Sequence, residues 1–181
     1  MITTVLELIR DELKAFVVPQ FPKDTPQVML GRLPHQTDAS ATPQEINRVL
    51  ISLIHIQEER NLSQSRTSNF NGPYHFNLTL LFSMHENEKN ASKGHLRSLQ
   101  YLDAVLAFFQ QNSTLTPQQN GGLPAEIPHL QFSLMNETLR DASYIWTMTG
   151  AKYVPSVLYM VRSAVVGNSL PAATRTSWPV G

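Results

Sequence analysis

The chain of 181 residues contains no cysteine. That excludes disulfides, thiol nucleophiles and zinc sites built on thiolates. Charge is also scarce: Asp, Glu, Lys and Arg make up 15% of the residues and sum to a formal net charge of zero. Such a balance gives the chain little electrostatic reason to seek nucleic acid or anionic lipid, whose recognition needs basic clusters. No segment approaches the roughly 18 to 20 continuous apolar residues of a membrane span. The opening stretch, MITTVLELIRDELKAF, places no basic region ahead of its apolar positions and so lacks the pattern of a signal peptide. The sequence therefore predicts synthesis and residence in the cytosol, with later release inside a particle left open. Without export, the Asn-x-Ser/Thr triplets beginning at Asn61, Asn77, Asn90, Asn112 and Asn136 read as a consequence of composition.

What is present is a core. The hydrophobic fraction of 41% suffices for one domain of this length. The expected division is a folded unit over 1–166 and a tail over 167–181, rich in Pro, Ser, Ala and Thr, that is either flexible or docks on a neighbour. Residues 2–17 predict a helix, because Ile2, Val5, Leu6, Ile9, Leu13, Phe16 and Val17 recur with a period near 3.6 while Glu7, Arg10, Asp11 and Lys14 take the wetter side. Thr4 with Glu7 has capping-box spacing, with Thr3 as the other candidate cap. Pro19 and Pro22 end the helix. A Pro-rich stretch to about residue 42 follows, with a short strand expected at 27–30.

The run RVLISLIHIQ, 48–57, has apolar side chains on both faces and predicts a central strand covered on two sides. YHFNLTLLFSM, 74–84, alternates strongly and predicts a second strand. The polar residues between them predict a long hairpin arm, and loops of that length usually carry function. A second helix is expected over 95–111 with Leu96, Leu99, Leu102, Val105, Leu106 and Phe109 as its apolar side. A brief strand follows at 129–134. A third helix, capped by Asn136 and packed through Leu139, Ala142, Ile145 and Trp146, should close at Gly150 in the left-handed conformation. Residues 157–166 then predict a buried strand. The whole reads as an α/β (α+β) fold, a single compact domain with a mixed, mainly antiparallel sheet flanked by helices.

Candidate chemistry is thin. The histidines at 35, 55, 75, 85, 95 and 129 form neither HExxH nor another metal-ligating spacing, and His55 reads as a packed, hydrogen-bonded core residue. Glu58 and Glu59 end one long strand while Glu86 and Glu88 follow the next. In a hairpin the two acid pairs are expected near one end, where paired carboxylates can do general acid/base work or form an ordinary solvated strand end. Ser156 lacks the glycines of a nucleophile elbow, and neither GxGxxG nor GxxxxGK occurs. The sequence predicts no catalytic residues, no metal and no cofactor. Surfaces carry more weight. Phe70 and Tyr74, at the base of the arm, either pin it to its own core or contact a neighbour. Arg162, inside a buried strand, is either a rim arginine reaching water or half of an intersubunit ion pair.

The ordered segments resemble one family. The N-terminal helix, VLISLIHIQEERNL, YHFNLTLLFSM, LRSLQYLDAVLAFFQQNSTLTP and LRDASYIWTMTGAKYVPSVLYMVRSAVV together look like the Pvc16-like N-terminal domain family. Its pattern WxxxGxKYxPSxxYxVR falls on Trp146, Gly150, Lys152, Tyr153, Pro155, Ser156, Tyr159, Val161 and Arg162. Proteins of this family are tube caps, or tail terminators, of bacterial contractile injection systems. The resemblance implies a phage tail-terminator-like fold, a hexameric ring, inner-tube and sheath proteins as partners, and no catalysis. On that reading the arm over 58–73 and the loop over 114–128 touch the tube or sheath, with Arg60, Arg66 and Lys89 supplying charge to the contact. A soluble adaptor or effector-loading protein is the first alternative, and a small hydrolase using the strand-end carboxylates the second.

Overall fold

A computed structural model describes residues 2–34, 47–59, 74–85, 91–117, 122–123 and 127–166. The first helix, α1 (Ile2–Val17), buries Val5, Ile9, Leu13 and Val17 and turns Glu7, Asp11 and Lys14 outward. It begins one turn earlier than the capping-box spacing suggests, so Thr3 and Thr4 are helical residues rather than caps. Pro19 converts its end into a short 3-10 turn, Val18–Gln20.

Six strands form one sheet in the order β1-β2-β3-β6-β5-β4. They are β1 (Gln27–Leu30), β2 (Arg48–Glu58), β3 (Tyr74–His85), β4 (Thr114–Leu115), β5 (Leu130–Leu134) and β6 (Ser156–Val166). Only β1 with β2 is parallel; the other pairs are antiparallel. The mixed, mainly antiparallel sheet read from the sequence is therefore the one that forms. Strand β4, two residues long, was hidden in what reads as loop, and with Leu115, Leu123 and Ile127 all buried the described parts of 114–128 are pinned to the core.

Alternation along the strands sends side chains to two different layers. On one face Val49, Ile51, Leu78, Leu80, Phe82, Met84, Phe132, Tyr159 and Val161 meet α1 and α2 (Ala91–Gln111) to make the main core. Rings pack edge to face through it: Phe82 with Phe109 at 5.0 Å, Phe16 with Phe108 at 5.5 Å. The buried stripe of α2 is Ser98, Tyr101, Ala104, Val105, Phe108 and Phe109. Leu96 and Leu99, expected inside, are exposed, because the helix is rotated toward its aromatic residues. An ion pair from Arg97 to Asp24 ties α2 to the turn after α1.

The opposite face carries a smaller cluster of Leu50, Leu81 and Leu158 under Trp146 of α3 (Leu139–Thr149), with Leu33 and Ala151 at its sides. It covers only one end of the sheet. Strand β2 is buried on both faces from Val49 to Ser52 and opens from Leu53 onward. A register shift between Leu53 and His55 marks the change. His55 is consequently exposed, not a packed core histidine.

Candidate functional site

Helix α3 and the connector after it make the most unusual surface of the molecule. Thr138, not Asn136, is the cap: it is extended at φ −71° and ψ 158°, and its hydroxyl accepts the Asp141 amide at 3.3 Å. Asn136 lies two residues too early to reach that turn. Thr138 also donates to the Asp141 carboxylate at 2.7 Å, which seats an acid in the first turn where the helix dipole favours it. Gly150 ends the helix with φ 61° and ψ 20°, the left-handed geometry expected from the sequence.

Only one narrow side of α3 is seated. Trp146 is buried and Ile145 half-buried, while Leu139, expected to pack, is 93% exposed. Met148 (73%), Tyr153 (69%) and Tyr144 (59%) are exposed with it. Tyr153 stands edge-on to Trp146 at 5.5 Å, and Arg140 sits 5.7 Å from the Tyr144 ring. Leu139, Trp146 and Tyr153 line an open groove of about 560 Å³, and a smaller one of about 180 Å³ runs between α3 and Leu81, Met135 and Leu158. This surface is missed by reading 139–149 as a simple amphipathic helix. The signal was present: Leu139, Tyr144 and Met148 fall outside the side shared by Ala142, Ile145 and Trp146.

On the same face of the sheet, beyond Leu50 and Leu81, lie Arg48, Ser83 and His85. Arg48 and His85 are direct neighbours across β2 and β3. The Ser83 hydroxyl donates to the Leu50 carbonyl at 3.4 Å and stands 3.0 Å from His85 Nε2, which can donate to it. Burial, and then the Arg48 charge, push His85 down to about 4, so the imidazole is neutral near pH 7. The Arg48 Nε is buried with no hydrogen-bond partner among the described residues.

Glu58 stands opposite Phe76 and Arg48 opposite His85, so the end of β2 lies against the start of β3, about ten residues or roughly 33 Å from the His85 end. Glu86 and Glu88, the other acid pair expected at a strand end, lie outside the described residues. His75, opposite Val165, and His85 lie at opposite ends of β3, as the sequence suggests.

Of the residues expected at assembly contacts, Arg60, Arg66, Phe70 and Lys89 lie outside the described residues. Tyr74 opens β3 with its backbone aligned to Val166. Arg162 is exposed on β6 beside Gln131 of β5, where a register shift between Phe76 and Leu78 interrupts the pairing of β3 with β6. Its neighbour Val161 points into the main core, so Arg162 emerges on the α3 side of the sheet.

The sequence matches the Pvc16 N-terminal domain over residues 2–176. The chain belongs to that family. As a Pvc16 N-terminal domain it is similar, at 19% identity and a TM-score of 0.64, to the sheath/tube terminator of an extracellular contractile injection system (PVC) in its extended state, with 100% of this chain and 61% of that one covered. It is also similar, at 17% identity and a TM-score of 0.58, to the tube-terminating cap of the anti-feeding prophage, covering 97% and 60%. The chain thus spans about three-fifths of the length of these solved structures, and the tail-terminator-like fold is the feature they share with it. No curated protein matches the sequence. No helix among the described residues is long and apolar enough to cross a membrane.

Proposed function

We propose that this protein is a cap of a contractile injection system or phage-like tail, a non-enzymatic part that ends inner-tube growth and links the last tube ring to the sheath. The carrying observation is that the whole chain, not one motif, superposes on a sheath/tube terminator. Its mechanism is steric. Copies arrange as a hexameric ring, cover the polymerising face of the terminal tube layer, and offer no equivalent face on the far side. The arm over 58–73 reaches the tube or sheath, with Arg60, Arg66, Phe70 and Tyr74 along it, while Lys89 and Arg162 add charge to the contacts and the tail over 167–181 docks on a neighbour or stays free. Assembly takes place in the bacterial cytoplasm and the finished particle is released.

The test is solution mass by light scattering, with and without purified inner-tube subunits, alongside tube lengths by electron microscopy. The proposal expects a ring-sized species that binds tube ends and shortens the tubes. A chain that remains monomeric and leaves tube length unchanged overturns it and returns the adaptor reading.

A further inference from the structure

Arg48 differs from the other arginines whose side chains are described. Arg10 is held by Asp11 at 2.8 Å, and Arg97 by Asp24. Arg140 lies over the Tyr144 ring, Arg32 has a partner of its own, and Arg162 is exposed. Arg48 is half-buried at the start of β2, and its Nε is enclosed with no acceptor among the described residues. Its neighbours in register are Gln27 on β1 and His85 on β3, neither of them an acid. Next on the same face of the sheet come Leu50 and Ser83, both buried. The Ser83 hydroxyl is spent on the Leu50 carbonyl, and His85 is neutral near pH 7. Burial pushes the Arg48 guanidinium below its ordinary value with no described carboxylate acting against it, whereas Asp11 raises Arg10.

We infer that the Arg48 guanidinium is a seat for one carboxylate of a neighbouring subunit, at the end of the sheet where β2 begins and β3 ends. This rests on the reading of the protein as a cap, and supplies the chemistry of one of its contacts. A charge drawn out of water without an opposite charge weakens the fold that holds it, and a carboxylate brought in by a partner reverses the sign of that contribution. The guanidinium fork suits a carboxylate, which accepts two parallel N–H bonds from it. An acid directly across the ladder would balance such a cation within the sheet, but the facing residue is an uncharged imidazole. Arginines that docking shuts off from water are among the residues where binding energy concentrates. Arg48 is also paired on both sides, to β1 and to β3, so its backbone needs no further ordering when a partner arrives.

Arg48→Met and Arg48→Lys are made in the full chain and compared with the original in urea titrations, at equal ionic strength in sodium chloride and in sodium acetate. Light scattering and tube lengths follow each one with purified inner-tube subunits. In chloride the Arg48→Met midpoint is expected to equal or exceed the original, since an unbalanced charge is gone. Acetate is expected to raise the original midpoint more than that of Arg48→Met. Arg48→Met should then bind its ring neighbours or the tube at least about tenfold more weakly, and Arg48→Lys should recover part of the loss. A clearly lower Arg48→Met midpoint in chloride means that an acid of the same chain already balances Arg48, and overturns the inference; Glu86→Gln and Glu88→Gln then show which. An equal response of both chains to acetate overturns it too. An acetate response that needs Arg48, with assembly unchanged in Arg48→Met, assigns the seat to a free anion and overturns the subunit as its source. If the original chain neither forms rings nor binds tubes, the cap reading falls and the subunit source with it, while the acetate comparison still decides whether Arg48 takes a carboxylate.

Discussion

Helices α1 and α3 are laid on opposite faces of the same sheet, and they meet solvent in opposite ways. In α1 the apolar residues are sorted: Val5, Ile9, Leu13 and Val17 are fully buried and the charged residues face out. Each such burial contributes about 1.5–3 kcal/mol, and the helix needs nothing beyond its own protomer. In α3 the apolar residues are unsorted. Trp146 holds it down, yet Leu139 and Met148, as apolar as much of the core, remain outside with Tyr144. The contrast separates apolar surface that folds the subunit from apolar surface that the described residues leave uncovered. It also says where substitutions should act on stability and where they should not.

The largest effect is expected on the α1 side. Leu13→Ala empties a fully enclosed site and should cost about 2–5 kcal/mol, seen as a lower urea midpoint; a cost under about 1 kcal/mol would mean that the α1 layer is not the folding core. Next comes the α3 side of the sheet at acid pH. His85 has a folded value of about 4 against an ordinary 6.5, so the unfolded chain takes up the proton first as pH falls. Stability should be complete above pH 6.5 and drop between there and pH 4, by roughly 3 kcal/mol at most. His85→Asn should flatten that slope in urea titrations at a series of pH values. An unchanged slope would place the acid sensitivity elsewhere.

Smaller still, Thr138→Ala removes the α3 cap and should cost about 1 kcal/mol. Hydrogen exchange should register it in α3 and leave α1 protected; loss of protection in both helices would show that the two layers unfold as one. The smallest effect on stability comes from Leu139→Ser. With its side chain almost entirely in water, the urea midpoint should stay within about 0.5 kcal/mol of the original. A larger loss of stability would reverse the comparison of the two helices.

Much of the fold was legible because most elements repeat with one period. The α1 stripe and the short β1 each had a single face to bury, and the structure buries it; β3 buries the face that its alternation marks and, at Leu81 and Ser83, the other face as well. Elsewhere two patterns overlapped. Helix α2 carries leucines at 96, 99 and 102 as well as an aromatic stripe at 101, 108 and 109, and leucine alone does not say which side is inside; ring packing against Phe82 and Phe16 decided it. In α3 Leu139, Tyr144 and Met148 lie off the side of Ala142, Ile145 and Trp146, and choosing that side as the core does not account for them. Which ends of β2 and β3 meet follows from the antiparallel pairing, which sets the end of one strand against the start of the next. Of the residues expected to touch a partner, only Arg162 has a described side chain.

The central ladder of β2, β3 and β6 also has a mechanical meaning. These strands are the longest in the sheet, at 11, 12 and 11 residues, and their hydrogen bonds run across the strand direction. A pull applied along the strands in opposite senses loads many of those bonds at once, in shear, whereas a pull across them peels the ladder bond by bond. The domain is therefore stiffest along the axis that joins the 58–74 end of the hairpin to the Arg48–His85 end, and any tension passed from one end to the other is carried by backbone rather than by side-chain packing.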